Sequence, residues 1–342
     1  MKRIAIIGGG GYTSSELLRL LVGHPHFEVV RITSRSNSGR RVSEVHPFLE
    51  SLIDLSFEEN EPNLVTRDVD LVFLALPHGV TASFVKAIGP TEVPLVDLSG
   101  DFRLNDPSTH NHTYPETPLL SDLRNEFVYG LPELFRDQIR KAKNVACPGC
   151  FATGAILALA PFADANLITG SPIVDGKTGS SGSGASASST THHPERVERF
   201  SAYGALTHRH APEIHQALNE LQSDLKPITF VPHSTPMVRG IYTTAYIDNR
   251  NHKLSPEAAR EKIADFYQDE TFIRLRPSPS DCGVVARTNF ADLWATSNNE
   301  VIVVTSAIDN LVKGAAGQAI QVANLIFDLP ETSGLLFPGT RP

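Results

Sequence analysis

An apolar run from Lys2 to Ile7 stops at Gly8-Gly9-Gly10-Gly11, and between Ser14 and Leu21 the positions Leu17, Leu18, Leu20 and Leu21 fall on one helical face. The pattern predicts strand, tight turn, helix. Glu28 to Ile32, Asp70 to Leu76 and Leu95 to Leu98 read as further short strands with polar or helical material between them. Such alternation predicts an α/β fold with a mostly parallel sheet covered by helices. The rhythm changes near Cys150, where a domain boundary is expected. Phe151 to Phe162 is an apolar helical run opened by Pro148-Gly149. Ile173 to Lys177, Ile228 to Pro232, Gly240 to Ile247 and Glu300 to Ile308 then read as strands of a more antiparallel α+β unit with one open face. Leu311 to Phe327 predicts a last long helix, with Val312, Ala315, Ala316, Ala319, Ile320, Ala323 and Ile326 as its apolar stripe. Its small-sided start, Gly314 to Gly317, implies close approach to a backbone or a ligand.

At 342 residues the chain has room for about two domains, each with its own core. With 41% hydrophobic and 20% charged residues it is neither collagen-like, nor coiled coil, nor broadly disordered. A net charge of −8 with mixed signs offers no footprint for nucleic acid or an anionic membrane surface, so an anionic ligand must be held by local groups. Cys147, Cys150 and Cys282 cannot all pair, which argues against a secreted disulfide framework and for a reducing compartment. No stretch approaches the ~18 apolar residues of a membrane helix, and a cytoplasmic location is expected.

Five segments carry candidate chemistry. Gly8 to Gly11 lets a backbone approach a pyrophosphate at the start of a helix, although Ser14 stands where the dinucleotide fingerprint has its third glycine. At the end of the second strand, Thr33-Ser34-Arg35-Ser36 has no ribose-binding carboxylate; hydroxyls with Arg35 suit the 2′-phosphate of NADP, the alternative being a solvated Arg35. In Cys147-Pro148-Gly149-Cys150 a thiol opens an apolar helix, where the N-terminal dipole favours a thiolate nucleophile. A C-x-x-C redox pair and two inert core cysteines are the competing readings. His208-Arg209-His210-Ala211-Pro212-Glu213 places His210 just outside a helix start with Glu213 on the first turn, either as a carboxylate-oriented acid/base or as ordinary polar capping. Asp97 to Arg103 follows the fourth strand, where Arg103 either grips a phosphate or carboxylate or pairs with Asp97 or Asp101. No segment has metal-ligand spacing, and no metal is expected. Between the strands Ile173 to Lys177 and Ile228 to Pro232 lies Thr178 to Thr191, almost wholly Ser, Gly, Ala and Thr, which is either a linker or a loop presenting N–H groups to an anion.

These residues together resemble the N-acetyl-γ-glutamyl-phosphate reductase family. The similarity rests on Val145 to Gly154, Gly8 to Tyr12, Asp97 to Arg103, Tyr129 to Glu133, His208 to Ile214, Val231 to His233 with Arg239-Gly240, and Lys313 to Ala319, in order over essentially the whole chain. It implies a Rossmann-type NADP-binding domain, 1–148 with 310–342, and an α+β catalytic and oligomerisation domain of the semialdehyde-dehydrogenase and glyceraldehyde-3-phosphate-dehydrogenase type, 149–309. It implies reduction of N-acetylglutamyl 5-phosphate by NADPH in arginine biosynthesis, with Cys150 as nucleophile and His210 as acid/base. Gly8, Gly10, Gly11, Tyr12, Thr13, Ser34, Arg35, Pro77, Asn310 and Gly314 would meet the cofactor, and Arg103, Ser181, Arg209 and Glu213 the substrate. A homo-oligomer, dimer or tetramer, is implied. Cys147 stands where the family more often has Asn, and 178–188 lacks the family's common Arg. Gly184 to Ser188 and His192 to Arg196 look like the sister branch acting on a carrier-protein-linked acyl phosphate, whereas Pro148 and Phe151 do not. That branch, aspartate-semialdehyde dehydrogenase, and a dinucleotide-sensing protein without turnover are the alternatives.

Overall fold

The computed structural model describes residues 1–340. The chain divides into two compact units, Met1–Pro148 with Ala315–Leu336, and Gly149–Gly314 with the described residues from Phe337 on. The return to the first unit thus begins at Ala315 rather than 310. The reason is local: the Gly314 N–H donates to the Asp309 carbonyl at 2.9 Å, and the buried Asp309 carboxylate is gripped by Arg239 and by the N–H groups of Arg287, Leu311 and Val312, all in the second unit.

The first unit is built on a fully parallel sheet of β1 (Lys2–Ile7), β2 (Phe27–Thr33), β3 (Leu71–Leu74), β4 (Leu95–Asp97), β5 (Phe127–Tyr129) and β6 (Asn144–Ala146), in the order β2-β1-β3-β4-β6-β5. All of β3 and the last four residues of β1 are buried, as expected for strands covered on both faces. The order reverses direction between β1 and β3, so the carboxyl ends of these strands form a ligand-binding crevice in folds of this kind. β5 and β6 escape sequence reading because three residues each are too few to show a period.

The predicted helix over Leu311 to Phe327 is two pieces, a π-helical turn Val312–Ala316 and a helix Gly317–Ile326. Its single apolar stripe is also corrected: Gly317 through Leu325 are all buried. One side packs on the helix Pro132–Lys141, the helix Tyr12–Leu21 and β4. Its polar residues are buried too, because Gln318 donates to the Gly130 carbonyl, Gln321 to Glu331 and Asn324 to the Glu331 and Ser333 carbonyls. Buried amides of this kind are stable only when paired.

The second unit carries a mixed sheet of β7 (Ile173–Thr178), β8 (Ser201–Ala202), β9 (Thr229–Ser234), β10 (Ile241–Asp248), β11 (Ile273–Leu275), β12 (Ala291–Ser297) and β13 (Val301–Ile308), in the order β11-β12-β13-β10-β7-β9-β8. Helices Cys150–Asp164 and Pro256–Phe266 cover one face. Along β10 burial alternates residue by residue, and Tyr242, Thr244 and Tyr246 lie on the uncovered side. The helix Cys150–Asp164 is buried from Phe151 to Ala163, and contains Pro161. Proline cannot donate to the Leu157 carbonyl one turn back, and the Tyr267 hydroxyl does so instead at 2.9 Å.

Candidate active site

In the first unit the Gly8–Gly11 turn joins β1 to the helix Tyr12–Leu21. Gly8 has φ +91°, and a side chain there would also meet the Ala75 carbonyl at 2.6 Å, so this position requires glycine. The N–H groups of Gly8 and Gly9 both donate to the Thr33 carbonyl, and Ser14, in place of the third fingerprint glycine, donates its hydroxyl to the Gly8 carbonyl at 2.7 Å. Gly10 faces the end of β2, where Ser34 and Asn37 share a hydrogen bond of 3.2 Å. Around Gly11 an added Cβ would meet nothing within 4 Å. The turn is thus closed on its inner side and open at the helix start, where unsatisfied N–H groups and the dipole favour a phosphate. Tyr12, Arg35 and Pro77 are exposed and Thr13 half-buried. The residues present fit a dinucleotide.

In the second unit, Cys150 is the first residue of its helix and half-buried. Gly149 before it has φ −68°, a value open to any residue; glycine is needed because a Cβ would overlap the His210 imidazole. The Gly149 N–H donates to Glu213 Oε1 at 2.7 Å, and Gly314 lies so close that its Cβ would come within 2.7 Å of Cys150 Cβ. Thiol, imidazole and carboxylate are therefore brought together around the backbone of one residue. Glu213 is fully buried, so it acts on Gly149 rather than as the substrate ligand expected from the resemblance.

The His210 backbone N–H donates to His208 Nδ1 at 3.2 Å, and burial, followed by the nearby Arg209 charge, lowers the His208 pKa to about 4. Neutral His208 stands 4.7 Å from the His210 ring, centroid to centroid, and Phe151 packs edge-on against both. Tyr203, not foreseen from the sequence, lies 5.7 Å from the His208 ring; loss of hydration, then the charge of Cys150, pushes its phenol up to about 12. It is a neutral phenol that feels the charge of Cys150. Arg209 is exposed and its charge is felt by both His208 and Tyr203.

Three expectations change. Arg103 is only 4% exposed and donates to the Cys147 carbonyl at 2.7 Å and the Leu98 carbonyl at 3.0 Å, so it braces backbone rather than gripping substrate. The N–H groups of Gly179, Ser180 and Ser181 donate to the carbonyls of Gly240, Met237 and Val238, which leaves these three unavailable to an anion and ties the start of the stretch Thr178 to Thr191 to the segment before β10. Ser181 Oγ accepts from Asn310, whose side-chain oxygen accepts the Gly240 N–H. Cys147 is buried, its thiol pKa raised by that burial first and Asp97 second, which keeps it protonated and unreactive. Among the described residues no cluster of metal-ligating side chains occurs, and no helix is long and apolar enough to cross a membrane.

Residues 3–142 match the family model of the semialdehyde dehydrogenase NAD binding domain, and residues 150–310 that of the semialdehyde dehydrogenase dimerisation domain. The chain is 44% identical to the N-acetyl-gamma-glutamyl-phosphate reductase of Methanosarcina mazei, covering 100% of this chain and 99% of that one. It is 39% identical to a putative LysW-L-2-aminoadipate/LysW-L-glutamate phosphate reductase of Picrophilus torridus, over 99% of both. The aspartate semialdehyde dehydrogenase of Candida albicans, solved with NADP, superposes with a TM-score of 0.72 at 13% identity, covering 96% of this chain and 99% of that one; this likeness is one of fold. A cysteine-led helix with a histidine against its first turn, on a chain matched from end to end, places it: the chain belongs to the N-acetyl-γ-glutamyl-phosphate reductase family of semialdehyde dehydrogenases.

Proposed function

We propose that this chain reduces N-acetyl-L-glutamyl 5-phosphate to N-acetyl-L-glutamate 5-semialdehyde with NADPH, releasing phosphate, as a step of arginine biosynthesis. The observation that carries the reading is Cys150 at the first position of a helix, with the His210 ring against Gly149 beside it. Cys150 Sγ bonds the acyl carbon and the carbon–oxygen bond to phosphate breaks, so phosphate leaves with the electron pair and a thioester remains. The Gly8–Gly11 turn would hold NADPH, with Ser34 and Arg35 as the groups for its 2′-phosphate, and the chemistry it would supply there is a hydride. His210 holds the proton that the reduced carbon's oxygen takes up, and takes it back as the carbon–sulfur bond breaks to release aldehyde and thiolate. Arg209 and Tyr203 offer a cation and a donor on the thiol's side for the anionic substrate. Cys147, Asn310 and Ser181 shape the surrounding backbone.

The test follows NADPH formation from N-acetylglutamate 5-semialdehyde, NADP and phosphate. Phosphate-dependent activity is expected in the wild type, with a loss of at least about a thousandfold in Cys150→Ser. A folded, NADP-binding wild type without activity would instead favour the carrier-linked substrate named for the Picrophilus relative. Activity kept in Cys150→Ser would remove the thioester.

The same reading includes a homo-oligomer formed through the uncovered face of the second sheet, where Tyr242, Thr244 and Tyr246 of β10 share a face with Trp294 of β12; light scattering should give a dimer or tetramer mass. A cytoplasmic location accords with three free cysteines.

A further inference from the structure

The Gly9 carbonyl is the one oxygen of the Gly8–Gly9 pair that neither Ser14 nor the helix engages, and it lies 2.8 Å from His46 Nε2. A carbonyl only accepts, so Nε2 carries the hydrogen and His46 donates. His46 is 6% exposed, comes from the segment between β2 and β3, and is flanked by Phe48 and Phe57 at 6.1 and 6.2 Å between ring centroids. Phe57 with Ile32 also fills the space against Gly9, where a Cβ would come within 2.7 Å of either side chain. In a trans peptide the carbonyl and the following N–H lie in one plane and point in opposite directions. Holding the Gly9 oxygen inward therefore turns the Gly10 N–H outward, to the open side of the turn.

We propose that His46 is a positioning residue for the dinucleotide: its Nε2–H fixes the Gly9–Gly10 peptide plane so that the Gly10 N–H is aimed at the pyrophosphate before the cofactor arrives. This rests on the dinucleotide reading of the turn. Glycine has the widest backbone freedom of any residue, and four in a row without such a pin would lose that freedom on binding. His46 touches neither cofactor nor substrate in this role. Its effect belongs to cofactor affinity and not to the chemical step.

The test is fluorescence titration of NADPH and NADH into the full-length wild type, His46→Leu and His46→Gln, with turnover at saturating cofactor alongside. His46→Leu keeps an apolar body without a donor, and its Kd for NADPH should rise about tenfold while kcat changes less than twofold. His46→Gln, whose amide nitrogen can reach the Nε2 position, should return Kd to within about threefold of wild type. A packing role alone would move both variants equally, and that outcome, or an unchanged Kd in His46→Leu, overturns the proposal. If His46→Leu does not fold, His46→Asn, too short to reach the carbonyl, carries the same expectation, and an unchanged Kd there overturns it as well. A wild type that binds neither dinucleotide removes the reading of the turn and this inference with it, whereas binding that is insensitive to residue 46 removes the inference alone.

Discussion

Two strand-to-helix turns of this molecule each contain glycine, and for different reasons. At Gly8–Gly11 the glycines serve the backbone: Gly8 needs its positive φ, and Gly11 keeps open the space through which a ligand would approach. At Cys147–Cys150 the backbone is ordinary, and Gly149 is small only because a histidine from 61 positions along the chain lies against it. One turn presents main-chain N–H groups, the other a side chain. A glycine before a helix therefore says little about function until its neighbours are known.

That contrast can be broken by experiment. After Cys150→Ser, the largest effect should come from His210→Asn, which removes the acid/base; turnover should fall by about 10²–10⁴ with NADPH affinity unchanged, measured by steady-state kinetics beside cofactor titration. A variant within threefold of wild type would refute the assignment. Next, Gly149→Ala drives a Cβ into the imidazole and should cost on the order of a hundredfold in kcat. Gly11→Ala meets nothing in the protein, so its melting temperature should stay within about 2 °C of wild type while its Kd for NADPH rises several-fold. If both alanines lowered kcat and spared Kd, the two turns would not differ as argued. Arg35→Ala should raise the KM for NADPH roughly tenfold and leave that for NADH unchanged; a parallel change in both would leave Arg35 no part in recognising the 2′-phosphate.

The smallest effect concerns stability away from both turns. His24 Nδ1 accepts the N–H groups of His26 and Phe27 at 3.2 and 3.1 Å, and its Nε2–H donates to the Ser333 carbonyl at 2.9 Å. This arrangement needs the neutral ring, and burial lowers its pKa to about 4. The unfolded chain, near the ordinary histidine value, binds that proton more readily, so the contribution is complete above about pH 6.5 and is lost as pH falls toward 4. Between pH 7 and 5, wild type should lose about 2 kcal/mol more than His24→Asn in denaturant titrations, from the shift of unfolding midpoint. Equal losses would show that His24 does not titrate as described.

Legibility in the sequence followed distance along the chain. β1, the glycine turn and the helix after it could be read because an apolar run, a breaker and a 3.6-residue stripe are all local. Cys150 at a helix start was legible for the same reason, and so was the helix after His210, which the sequence puts just past that residue and the structure begins at it. The C-terminal helix was legible only as one apolar stripe, because the segment around Glu331 and Ser333, which accepts the hydrogen bonds of Gln321 and Asn324 and so buries them, carries no periodic signal. Arg103 misled because its position after β4 matched a ligand-binding edge, and nothing nearby in the sequence shows that the Cys147 carbonyl, 44 residues on, takes its guanidinium.

By itself, then, the sequence determined the alternating strands and helices, the thiol at the head of an apolar helix, and the glycine turn, since periodicity and turn chemistry act between near neighbours. Tertiary structure alone decided that Glu213 holds the Gly149 N–H across 64 residues and that His46 holds the Gly9 carbonyl across 37. Such bonds form only once packing has excluded water from both partners and brought them within reach, and no local pattern encodes which distant group will be there.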